Sequence, residues 1–192
     1  MPKPYWLDTA LEDAQKVSKM KKTVEQAETE YPILAETGVA YSLHPKAGSR
    51  KLEFWPSDEI GEANSPRPSE IPMGKPGVEI LDSTVRPIDI LGDVVSHHLV
   101  KSDPAMKAYY EQFTGSLQPD QRTRLREQYQ YAQEHEGEVR PYETWEAMTG
   151  LPGYFRGYPF QQWTDTDVLY TDAQRAMLDA MMRDLTARKE TP

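Results

Sequence analysis

The chain predicts an α+β fold: a small antiparallel sheet packed on a mainly helical C-terminal half, with an N-terminal helical arm. Three observations lead there. Short β-branched and aromatic runs cluster between residues 39 and 82. Apolar residues at steps of three and four dominate before and after that region. A stretch dense in proline and glycine, 56–77, separates the second short run from the third. With 192 residues, the expected division is an arm over 1–32 and one α+β domain over 33–192.

Residues 8–30 read as a long helix. Asp8 or Thr9 supplies its cap, and Thr9 with Glu12 has capping-box spacing. Leu7, Leu11, Ala14, Val17, Met20, Val24, Ala27 and Tyr31 form one apolar stripe, and Tyr31-Pro32 ends the helix. Lys16, Lys19, Lys21 and Lys22 make a local basic patch. The runs 39–43 and 51–55 are strand-like, and the intervening 44–49 carries turn chemistry, so the two read as a β-hairpin. Pro56, Pro66, Pro68, Pro72 and Pro76, with Gly61, Gly74 and Gly77, make 56–77 an extended wrap or a loop. Residues 78–82 are a third short strand.

Everything after Arg86-Pro87 reads as helical. The first of these helices starts at Pro87 or Ile88, with Ile88, Leu91, Val95, His98 and Leu99 on its apolar side and His97 toward Asp93. Ser102-Asp103-Pro104 reads as an N-cap with proline at the first helical position, opening a helix with Met106, Tyr109, Tyr110 and Phe113. Pro119 opens another, to about residue 134, with Leu125, Tyr129 and Ala132 inward and Arg122, Arg124 and Arg126 outward. A short helix begins at Pro141, with Tyr142, Trp145 and Met148. Thr171 and Gln174 have capping-box spacing for the last helix, striped by Met177, Leu178, Met181 and Leu185.

The formal net charge is −9, which repels phosphate backbones and anionic bilayers, so no general nucleic-acid or membrane partner is expected. There is no cysteine, which excludes disulfides, thiolate catalysis and Cys-type zinc sites. No run of apolar residues is long enough for a membrane span, and the N-terminus lacks the apolar core of a signal peptide.

Three constellations carry candidate chemistry. Asp89, Asp93 and His97 recur at steps of four, which stacks them on one face of a helix. An imidazole and carboxylates suit proton transfer or a divalent metal, with Asp93 and His97 as candidate ligands and Glu134, His135, Glu136 or Glu138 as further donors. The same residues serve equally as a hydrogen-bonded structural knot. The second constellation is Tyr154, Phe155, Tyr158, Phe160 and Trp163 around Arg156, the composition of a binding hot spot and also of an aromatic loop folded inward, with Arg156 paired to Asp89 or Asp93. The third, 134–138, reads as an acidic helix end facing water. Ser65-Pro-Arg-Pro fits a polyproline II groove.

The string from Arg86 to His98, with Glu138-x-Arg140-Pro-Tyr-x-x-Trp145 and Tyr154-Phe-Arg-Gly-Tyr158, resembles modules of tailed-phage and prophage proteins, including long polyvalent proteins, over roughly residues 35–187. Some of those modules resemble zincin peptidases. Of that ligand pattern only Asp93 and His97 keep the spacing, with Val94 where the general-base glutamate would stand. The resemblance implies a phage or mobile-element origin, in the host cytoplasm or the virion. The favoured expectation is a phage structural or accessory protein that binds other protein subunits or its own copies, through the 8–30 helix and the 56–77 wrap, without a cofactor. The alternative is an unusual metal-dependent hydrolase centred on Asp89, Asp93 and His97. A weaker one is an acidic inhibitor of a host defence protein.

Overall fold

The computed structural model describes residues 5–48, 50–57, 67–143, 145–146 and 170–188. It confirms the α+β class, with helices before and after a three-stranded sheet. The chain divides into two compact units, Met1–Leu91 and Gly92–Pro192.

In the first unit, α1 spans Tyr5–Glu30. It starts earlier than expected, directly after Pro4 in the sequence, a residue suited to a helix start. Thr9 therefore lies inside the helix, and the Thr9/Glu12 capping box is not its N-terminus. Tyr31-Pro32 does end it, and the short helix α2, Ile33–Glu36, comes at once. Gly38, at φ 67°, takes the left-handed conformation that closes α2.

The apolar stripe of α1 does not lie on one face. The steps from Leu11 to Ala14, Val17 and Met20 are all threes, and each falls about 60° short of a full turn. Leu11 and Met20 thus stand about 180° apart. Met20 and Ala27 are buried at 1% and 0% exposure, whereas Leu11 is 48% exposed. The C-terminal half of α1 belongs to the core of this unit; the N-terminal half turns its apolar side elsewhere.

The sheet consists of β1 (Ala40–Leu43), β2 (Leu52–Trp55) and β3 (Gly77–Ile80), in the order β1-β3-β2. It is mixed rather than all antiparallel: β3 runs parallel to β1 and antiparallel to β2. The expected hairpin between β1 and β2 does not form, because β3 lies between them. The reason is burial. Every residue of β3 is buried, so it takes the central position where both edges have partners, while β1 and β2 keep half-exposed residues at the rims.

Part of the proline-rich stretch is an ordered wrap. Turns at Pro68–Ile71 and Pro72–Lys75 close by backbone hydrogen bonds of 3.1 and 3.2 Å. Arg67 donates to the carbonyls of Pro56 and Lys75, so this arginine of the proline motif is engaged within the chain. Ile71 lies so close over Gly77 that any Cβ there would collide with it, which is why the strand begins with glycine.

The unit boundary falls inside α3, Pro87–Val94. A π turn, Val95–Leu99, and α4, Val100–Ser102, continue the helical path. Then come α5 (Pro104–Gly115), α6 (Pro119–His135), helical residues at 142–143 and 145–146, and α7 (Asp172–Ala187). Asp103 caps α5 as expected, its Oδ1 accepting from the N–H groups of Ala105 (3.1 Å) and Met106 (3.0 Å). Arg188, just past α7, forks onto the same carboxylate at 2.8 and 3.0 Å. The start of α5 is thereby tied to the end of α7, and the two pack antiparallel. Arg188 holds the Asp103 carboxyl below its ordinary range.

The starts of α6 and α7 meet beside the end of α5 in a pair of glutamines. Gln121 and Gln174 occupy the third position of α6 and α7 and close the capping boxes there: Gln121 Oε1 accepts from the Gln118 N–H at 2.8 Å and Gln174 Oε1 from the Thr171 N–H at 2.9 Å. Their amides also bond each other reciprocally, at 2.9 and 2.8 Å, and Gln174 Nε2 reaches the Ser116 carbonyl at 3.0 Å. Both side chains are buried. Glutamate serves a capping box as well as glutamine does, but two carboxylates at this spacing would be buried like charges.

Candidate functional site

Proline at the start of α3 leaves Arg86 as the residue before it and Asp89 at its third position. The Asp89 carboxylate accepts from the Arg86 backbone N–H at 2.9 Å and from the Arg86 guanidinium at 3.1 and 3.0 Å. Asp89 thus caps its own helix and pairs with its own arginine, with its side chain 6% exposed.

Asp93 and His97 do come together. His97 Nε2 stands 3.8 Å from Asp93 Oδ1, and the two side chains are 13% and 11% exposed. The helix between them is not a plain α-helix. The π turn begins at Val95, where the Val100 N–H bonds the carbonyl of Val95, and Ser96 Oγ donates toward the carbonyls of Gly92 (2.8 Å) and Asp93 (3.1 Å). An inserted residue of this kind shifts the helical phase of the residues beyond it and is frequent at functional sites. His97, within that turn and directed toward Asp93 as its spacing predicts, is largely enclosed.

Burial, then the positive charges of Arg140 and Lys101, push the His97 pKa down to about 3. His97 is therefore neutral at physiological pH, and its approach to Asp93 is not an ion pair there. Burial lowers His98 as well. Arg140, in turn, grips Glu138 and holds that carboxyl below its ordinary range. An imidazole held neutral so far below its ordinary pKa is a weak proton acceptor at neutral pH, so this pair suits a hydrogen-bonding role better than general-base work. Among the described residues, no group of three or more His, Asp or Glu side chains is placed to hold a metal ion. Three of the four suggested further donors have other tasks: Glu134 accepts from Gln130, His135 stacks on Tyr131 with centroids 4.2 Å apart, and Glu138 binds Arg140; Glu136 is the residue that ends α6. The aromatic constellation of Tyr154, Phe155, Arg156, Tyr158, Phe160 and Trp163 lies outside the described residues.

Two polar clusters are not evident from the sequence. On one face of the sheet, Ser42, Glu79 and Glu53 stand in register across the three strands. Glu79 is buried and receives Lys46 Nζ at 2.7 Å, while Glu70 meets His44 at 3.1 Å. A carboxylate inside a short apolar strand, Val78-Glu79-Ile80, is the signal that points to it. In the second unit, Glu146 hydrogen-bonds the phenols of Tyr110 and Tyr142, and burial raises both phenol pKa values well above the ordinary range. Arg126 lies over the Tyr142 ring at 4.1 Å. These phenols stay protonated and serve as donors.

No family model, curated protein or solved structure matches this chain. Among the described residues, no helix is long and apolar enough to cross a membrane.

Proposed function

We propose that the protein works by binding another protein chain through the N-terminal half of α1, as a phage structural or accessory protein, either a virion component or one that is packaged and ejected. One observation carries the reading: Leu11 is 48% exposed on the side of α1 opposite Met20, which is 1% exposed. This supports the reading because a partner helix can cover a large apolar side chain there without disturbing the end of α1 that belongs to the body. The resemblance of the Arg86–His98 string and the downstream tyrosine and tryptophan motifs supports the phage setting. The test compares full-length Leu11→Asp with the parent chain in capture from phage-infected cells. The variant keeps the parent melting temperature and loses the partner; equal capture by both chains overturns the reading.

The metal-dependent hydrolase reading has one support, the approach of Asp93 to His97. Two donors are fewer than the three protein ligands of a catalytic zinc site. Metal content of the purified chain, with and without His97→Ala, tests it: stoichiometric metal that is lost in the variant would favour it over binding.

A further inference from the structure

We infer that the exposed face of α1 docks antiparallel on the same face of a second copy of this chain, an inference that rests on the binding reading above and names its partner. Leu7, Leu11, Ala14 and Ser18 succeed one another at steps of four, three and four, the spacing that keeps residues along one face. Leu11, Ala14 and Ser18 are all exposed. Ala14, at the middle of the face, lets two helix axes approach closely.

The charges select the partner and its direction. By helical geometry, Asp8 and Glu12 fall on the same edge of this face as Lys19 and Lys22, with the acids toward the N-terminus and the lysines about three turns later. All four are exposed. In a two-fold antiparallel pair, an edge meets the same edge of the other copy running in reverse. With Ala14 near the axis, Asp8 falls level with Lys19 and Lys22 of the second copy, and Glu12 comes within reach of Lys19. A parallel pair would set acids against acids and lysines against lysines. The whole chain carries −9, so two copies repel elsewhere, and the lysine cluster of α1 is where that repulsion is offset. About three turns of helix make a small contact, so association is weak and concentration-dependent.

The chain contains no cysteine, so Ala14→Cys introduces a single thiol at the proposed axis. A disulfide requires Cα atoms within about 7 Å. Under mild oxidation Ala14→Cys should form a covalent dimer at least about tenfold faster than Lys16→Cys, which lies on another side of the helix. In sedimentation equilibrium up to about 0.5 mM, the parent chain should gain weight-average mass. Leu11→Asp and the pair Lys19→Glu/Lys22→Glu should remain monomeric, and adding Asp8→Lys and Glu12→Lys to that pair should restore association. A parent chain that stays monomeric, with Ala14→Cys cross-linking no faster than Lys16→Cys, overturns the self-docking. If Leu11→Asp nevertheless loses a captured partner, only the identity of the partner was wrong; if it loses none, the binding reading falls as well.

Discussion

Two buried polar clusters in the C-terminal unit solve the same problem differently. The Gln121–Gln174 pair is neutral, and each amide is bonded both to its partner and to a backbone N–H. The Asp93–His97 pair approaches only to 3.8 Å, on a helix distorted by a π turn, with Arg140 and Lys101 acting on the imidazole. The first arrangement locks helix ends together at little electrostatic cost. The second keeps a titratable group neutral against its ordinary preference, so its stability depends on pH. Reciprocated bonding marks a structural joint, and a suppressed charge marks the place where the unit responds to protons.

The largest contrast should come from acid. The His97 pKa, about 3 in the folded chain, lies below its ordinary 6.5. Between those values the unfolded chain binds the proton and the folded chain does not. Stability from this group is therefore complete above about pH 6.5 and falls as the pH drops toward 3, with a slope approaching about 1.4 kcal/mol per pH unit. Urea unfolding at pH 7 and pH 4 should show a smaller difference for His97→Gln than for the parent; identical differences would mean that His97 is not held neutral.

The glutamine joint should show the opposite sign once charged. Gln121→Glu with Gln174→Glu buries two like carboxyls whose pKa values must rise, so stability is present at acid pH and lost as the pH rises, by about 3 kcal/mol at neutrality. A fall in melting temperature from pH 7 to pH 4 that is clearly smaller in this variant than in the parent is the expected result, because the regained stability offsets the His97 loss that both chains share. Removing the joint by Gln174→Leu leaves the Gln121 amide and the Ser116 carbonyl without their partner, at a cost of about 2 kcal/mol with little pH dependence. Ser96→Ala should cost least, about 1 kcal/mol or less, because the hydroxyl adds bonds to carbonyls already in a helix. An NMR titration of His97 in that variant shows whether its enclosure depends on the Ser96 hydroxyl: a normal imidazole pKa would mean that it does.

The legible features of this chain are the local ones. Asp103-Pro104 and Thr171 with Gln174 mark two helix starts correctly, because a cap is satisfied within three or four residues. Asp93 and His97 meet for the same reason. The spiral of α1 is contained in its steps of three, even though its apolar residues read at first sight as one stripe. The central place of β3 is not legible, since the turn chemistry between β1 and β2 says nothing of a strand that enters more than twenty residues later. Nor is the glutamine pair, whose members are 53 residues apart, or the π turn, which shifts phase without a distinctive residue.

The sequence by itself determined the α+β class, the acidic and cysteine-free character, most helix ends and the unusual carboxylate–histidine row, because composition, caps and spacing act over a turn or two of chain. Only the tertiary structure decided the strand order, the neutral state of His97 and the exposure of Leu11. Each of those depends on which distant residues exclude water from a site, and burial is a property of the packed chain rather than of any segment within it.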